Sequence, residues 1–120
     1  MSQVNTIRPT ELPSIGIARI VGPIDIDHAR KTRRMLLASL ANQDNLLVDM
    51  SGVTAIDSAG VASLVEAHNT ARRNRKAFAL FHVNYPVMKV LKLARLDQVF
   101  TILSGRSEEH TSELQSHLNL

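Results

Sequence analysis

The sequence predicts an α/β fold, a small domain with a mostly parallel central sheet and helices packed against it. Short runs of β-branched and aliphatic residues alternate along the chain with segments whose apolar residues recur at helical spacing. That alternation makes the helices crossovers between parallel strands, with right-handed connections. The length of 120 residues, 44% of them apolar, suits one core rather than two.

Ile15–Val21 alternates loosely and reads as a strand, ended by Gly22-Pro23. Val4–Ile7 is a candidate preceding strand, paired as a hairpin across Pro9 to Ser14. Asp25 or Asp27 caps a helix over His28–Ala41. Its apolar face is Ala29, Leu36, Leu37 and Leu40, with Arg30, Lys31, Arg33 and Arg34 on the solvated side. Leu46–Met50 is a short apolar run, the mark of a buried strand. Ser51-Gly52 turns the chain, and Val53–Ile56 leads into a helix over Ser58–Arg73. Val61, Leu64, Val65 and His68 form its inner face. Ala77–Val83 reads as a further strand. Asn84 then caps a helix with Pro86 in its first turn, where the missing N–H costs nothing. Val87, Val90, Leu91 and Ala94 make its apolar stripe, and Val99–Leu103 is a last short strand.

Composition excludes several classes. With no cysteine there is neither a disulfide nor a thiolate zinc site, which fits a reducing compartment. Met1–Arg8 lacks a basic start followed by an apolar core, and no apolar run approaches a membrane span, so a cytoplasmic protein is expected. No P-loop, G-x-G-x-x-G or nucleophile elbow occurs, and His28, His68 and His82 lack metal-ligand spacing. No catalytic residue, metal or cofactor is therefore assigned. Asp49 ends a central strand, but no acidic pair follows the first strand, which argues against a phosphoaspartate receiver. His68 reads as a packed helix residue. The densest basic cluster, Arg72-Arg-Asn-Arg-Lys76, suits a nucleic acid, a membrane surface or an acidic partner. Its place at a helix C-terminus favours the plainer reading, a solvated cluster complementing the helix dipole. Aromatic residues at 3% leave little for base stacking, so direct nucleic-acid binding is not expected.

The informative stretch is Leu46–Gly60, LLVDMSGVTAIDSAG, in which an apolar strand leads to Asp57-Ser58-Ala59-Gly60 at a helix start. It resembles the signature of STAS domains, the family of the anti-sigma-factor antagonists. Gly22-Pro-Ile-Asp25 sits where that family has a Gly-x-Leu/Ile-Asp turn, and Asn84–Asp97 looks like its later helix and following Leu-Asp. The resemblance covers Ile15 to Leu103. It implies a non-enzymatic switch protein that binds a serine-kinase anti-sigma factor. The kinase phosphorylates the serine of the turn, which breaks the complex, and a phosphatase resets it. The phosphoacceptor maps to Ser58, and the partner-binding set to Asp25, Asp57, Ser58, Ala59 and Gly60. A second implication is a structural subunit on the cytoplasmic face of a lipid-transport ABC complex, held to its ATPase and permease. Such subunits often carry threonine where this chain has Ser58, whereas Ala59 in place of a second serine leaves the choice open.

The tail is unusual. Arg106–His117 reads as an in-frame translation of a common short-read sequencing adapter. The domain is accordingly expected over residues 1–104, with residues 105–120 a tail set apart from it. The alternative is a C-terminal helix capped by Ser107, with Leu114 and Leu118 four residues apart. The chain carries 14 basic and 11 acidic residues; setting aside Arg106, Glu108, Glu109 and Glu113 leaves 13 and 8, a surface suited to an acidic partner.

Overall fold

The computed structural model describes residues 13–103. The expected strand over residues 4–7, most of its hairpin and the tail over 105–120 lie outside the described residues. The elements run β1 (Ile15–Ile24), α1 (Ala29–Asn42), β2 (Asn45–Ile56), α2 (Ser58–Arg73), β3 (Ala77–Phe81), α3 (Tyr85–Leu93), a 3₁₀ turn (Leu96–Gln98) and β4 (Thr101–Leu103). The four strands form one sheet in the order β1-β2-β3-β4, and every pairing is parallel.

Register explains the core. Ala18, Val48 and Leu80 lie in one cross-strand row, and Leu46 pairs with Phe78. All five are buried, and Leu36, Leu40, Leu64, Leu91 and Val87 of the helices join their cluster. Thr32 takes a buried place on α1 that hydropathy alone would not assign. Along α2, Gly60, Ser63, Ala67 and Ala71 are buried with Leu64 and His68. Small side chains let this helix lie close to its neighbours. Leu91 and Val87 anchor α3, while Ala94, expected in the stripe, is an exposed C-cap.

The last strand begins at Thr101 rather than Val99, which caps the 3₁₀ turn. Three further expected boundaries move, each for a physical reason. Gly22-Pro23 does not end β1. The strand continues to Ile24, and Gly22 takes φ +91°, open to glycine at no steric cost. Ser51-Gly52 does not turn the chain either. Arg19 pairs with Asp49 but Val21 with Gly52, and Gly22 with Val53 but Ile24 with Ile56. β2 thus carries an extra residue at each of two bulges, and the strand passes straight through. Asp49 therefore sits within β2 rather than ending it. β3 stops at Phe81, because His82 adopts φ +58° and leaves the ladder.

An all-parallel sheet gives the molecule two distinct ends. The C-terminal ends of the strands and the N-termini of the helices share one edge. The helix C-termini collect at the opposite edge. Ligands of open α/β sheets characteristically bind at the first.

Candidate functional site

At that first edge the β1–α1 loop meets the start of α2. Asp57 is the residue that ties them. It precedes α2 in extended conformation (φ −116°, ψ −171°), as an N-cap must. One carboxylate oxygen, Oδ1, accepts from the Gly60 N–H at 3.0 Å. The other, Oδ2, accepts from the Ile26 N–H in the β1–α1 loop at 3.1 Å. The Asp57 N–H donates to the Ile24 carbonyl at 3.3 Å, and the Asp57 carbonyl accepts from Val61 N–H at 2.9 Å.

Gly60 makes this approach possible. A Cβ at that position would stand 2.0 Å from the Ile24 carbonyl oxygen and 2.8 Å from Ile56 Cγ1. The glycine is required by close backbone approach, which fixes α2 against the end of β1. Ser63 Oγ donates to the Gly60 carbonyl at 2.7 Å and closes the first turn.

Asp25 orders the loop on the other side. Its Oδ1 accepts from Asp27 N–H at 3.1 Å, His28 N–H at 3.2 Å and His28 Nδ1 at 2.6 Å. Its carbonyl accepts from the N–H groups of His28 and Ala29. Asp25 thus does the capping work for α1, as one of the two expected candidates; His28, the residue adjoining the helix, offers no side-chain cap. The hydrogen bond from His28 is the main reason the Asp25 carboxyl titrates below its ordinary value, with loop N–H groups adding to it against a desolvation penalty.

Ser58 is the first residue of α2 and is exposed. Among the described residues its hydroxyl has no hydrogen-bond partner within the protein. The N–H groups of Ser58 and Ala59 lie in the first turn, where no intrahelical acceptor exists. Asp57 satisfies the Gly60 N–H and its carbonyl the Val61 N–H. Two N–H groups therefore remain beside a free hydroxyl at the positive end of a helix of 16 residues. Ala59 is half-buried and Gly60 buried, so these two shape the turn and Ser58 is its reachable atom.

The structure brings together all five residues singled out from the sequence. It adds two that were missed and places a third exposed residue elsewhere on the same edge. His28 pairs with Asp25. Ile26, 76% exposed, is the residue whose N–H Asp57 holds, and Tyr85, 77% exposed, starts α3 at the same edge. An apolar residue flanked by Asp25 and Asp27 was the available signal for Ile26. His82 forms a separate pair with Asp49 at 3.3 Å, and the Ser51 N–H also donates to Asp49 at 3.0 Å. His68 is packed as expected, buried edge-on against Phe78 and Phe100 at ring separations of 6.0 and 5.3 Å. Among the described residues no cluster of three His, Asp or Glu could hold a metal ion, and no helix is long and apolar enough to cross a membrane.

Comparison with known proteins places the fold and the family. The fold is similar to an anti-sigma factor antagonist from Mycobacterium paratuberculosis (TM-score 0.69, 17% identity, 85% of this chain and 86% of that one). It is also similar to a sulfate transporter family protein from Wolinella succinogenes (0.65, 13%, 95% and 98%). A third likeness is to the Bacillus cell fate determinant SpoIIAA in its phosphorylated form (0.59, 14%, 82% and 88%). At these identities the likeness is one of fold. The STAS domain family model matches residues 6–110. With that match spanning most of the chain, this protein belongs to the STAS domain family.

Proposed function

We propose that this STAS domain is an anti-sigma-factor antagonist that binds a serine-kinase anti-sigma factor and is released when Ser58 is phosphorylated. The observation that carries the reading is Ser58 itself: an exposed hydroxyl at the first residue of α2, next to Asp57, whose carboxylate holds the Asp25 loop through the Ile26 N–H. In the proposed step Ser58 Oγ attacks the γ-phosphorus of ATP held by the kinase. The Oγ–P bond forms, the bond to the ADP oxygen breaks, and the hydroxyl proton passes to a base of the kinase and then to solvent. A phosphatase reverses the modification with water.

The local physics supports a switch without unfolding. A phosphoryl group adds about −1.5 to −2 charge at neutral pH. The N-terminus of α2 tolerates it, because the dipole and the free N–H groups favour an anion. A partner seated over this edge would not tolerate it. Asp25, Asp27 and Asp57 already make the edge acidic, and a further dianion repels any acidic contact and must be desolvated on binding. SpoIIAA, which shares the fold, has been solved both phosphorylated and unphosphorylated.

A second reading, a constitutive subunit of a transporter, draws on the similarity to a sulfate transporter family protein along nearly its whole length. For this chain the assembly considered is a lipid-transport ABC complex, with the domain steadying its ATPase. The two readings separate on Ser58. As a switch, Ser58→Ala binds the kinase and accepts no phosphate, whereas Ser58→Asp fails to bind. Ser58→Asp binding as tightly as the parent would overturn the switch and leave Ser58 a helix-start residue in a structural subunit.

A further inference from the structure

The opposite edge of the sheet has a different chemistry. The ends of α2 and α3 place Arg72, Arg73, Arg75, Lys76, Lys92 and Arg95 there, against the carboxylates of Asp44 and Asp97. Asp44 is occupied, accepting from Ser14 N–H and Oγ at 2.9 and 3.3 Å. Lys76 Nζ donates to the Leu40 carbonyl at the end of α1. Among the described residues none of the four arginines is ion-paired; Arg73 reaches only the Thr70 hydroxyl.

Two of these arginines stand where helices ordinarily place glycine. Arg75 has φ +58° and Arg95 φ +61°. The Arg75 N–H donates to the Arg72 carbonyl and the Lys76 N–H to the Ala71 carbonyl, the bond pair of a left-handed helix stop. The Arg95 N–H likewise donates to the Lys92 carbonyl after α3. A side chain in this conformation is strained, and glycine relieves it. Cations in the last turn, Arg72, Arg73 and Lys92, already complement the dipoles. Helix termination therefore does not account for an arginine in both slots. Beside Lys92 and Arg95, Leu93 is 79% exposed, so an apolar side chain projects from the same basic rim.

We propose that this edge is a contact surface for an anionic lipid leaflet, with the arginines meeting headgroup phosphates and Leu93 entering the interfacial layer. Basic residues and an exposed apolar side chain are the two signals that peripheral attachment combines. A bare polyanion would use only the first. A domain docked by this edge keeps Ser58 facing away from the bilayer, open to a soluble or membrane-held partner.

The test is co-sedimentation of the full chain with phosphatidylcholine vesicles and with vesicles containing phosphatidylglycerol. Binding is expected to the anionic vesicles alone and to fall as salt is raised. Arg75→Gly and Arg95→Gly should each weaken it about fivefold. Their melting temperatures should be unchanged or higher, because glycine relieves the left-handed strain. Leu93→Ser should weaken binding at every salt concentration, and Arg34→Ala, on the α1 face, should not. Binding that is absent, that persists equally in both glycine variants, or that is seen for polyglutamate but not vesicles would overturn the proposal. None of these outcomes depends on a kinase.

Discussion

Gly60→Ala offers a sharp test of how the candidate site is held together. The added methyl would lie 2.0 Å from the Ile24 carbonyl oxygen, 2.8 Å from Ile56 Cγ1 and 3.0 Å from the Ile24 carbonyl carbon. The obstructing atoms are mainly backbone, so no side-chain rotation relieves them. Overpacking a tight site costs roughly 1–3 kcal/mol, and a contact this short belongs at the upper end. Against it stands the better helix propensity of alanine, about 1 kcal/mol. The net expectation is a loss of about 2 kcal/mol, or a fall of roughly 6–10 °C in melting temperature for a domain of this size. Urea denaturation followed by circular dichroism reads the first quantity and a thermal scan the second. Gly52→Ala is the graded control. Its Cβ would sit 3.0 Å from the Ile20 carbonyl oxygen and 3.1 Å from Val21 Cγ2, so the loss should be smaller. A Gly60→Ala protein as stable as the parent, or more stable as propensity alone requires, would refute the claim that backbone approach at Gly60 positions the site.

Further predictions concern the cap, the buried histidine and the aromatic cluster. Asp57→Ala removes the acceptors of both Gly60 and Ile26 and should cost about 1–2 kcal/mol in urea denaturation, whereas Asp57→Asn should cost less. Burial holds the His68 imidazole below its ordinary pKa, and Arg72 pushes the same way. The unfolded chain therefore binds the proton more readily, and stability should fall as pH drops below about 6.5. His68→Leu should remove that part of the slope, and an unchanged slope would show that His68 is not its source. The Asp49 carboxyl titrates low chiefly through the Ser51 N–H, so a further loss should begin as pH falls below about 3.8, and Asp49→Asn should diminish it. Phe100→Ala empties a site that is 3% exposed between His68 and Phe78, and should cost about 3–5 kcal/mol by the same assay.

What was legible in the sequence was local. The limits of α2, the Asn84 cap accepting from Val87 N–H at 2.9 Å, and Pro86 in the first turn of α3 follow from nearest-neighbour chemistry. So does the exposed place of Ser58 after an N-cap aspartate. What was not legible depends on residues distant in sequence. Ser51-Gly52 looks like a turn until β1 fixes the register, after which Met50-Ser51 form a bulge opposite Ile20 and Gly52 pairs with Val21. Nothing near Asp57 in sequence says that its second oxygen holds the N–H of Ile26, 31 residues earlier. Arg75 and Arg95 carry no local signal of left-handed backbone, since that conformation usually announces itself through glycine or asparagine. The basic cluster read as dipole complement in the sequence; only the parallel topology places its counterpart from α3 on the same edge.

The central claim is that Ser58 governs partner choice. The most direct measurement is an affinity pull-down of the full chain from an extract of its native host, read by mass spectrometry with phosphosite mapping. The expected result is a serine-kinase anti-sigma factor retained by the unphosphorylated chain, phosphate on Ser58, and no kinase retained by the phosphorylated fraction. Recovery of a transporter ATPase and permease with Ser58 unmodified would contradict it.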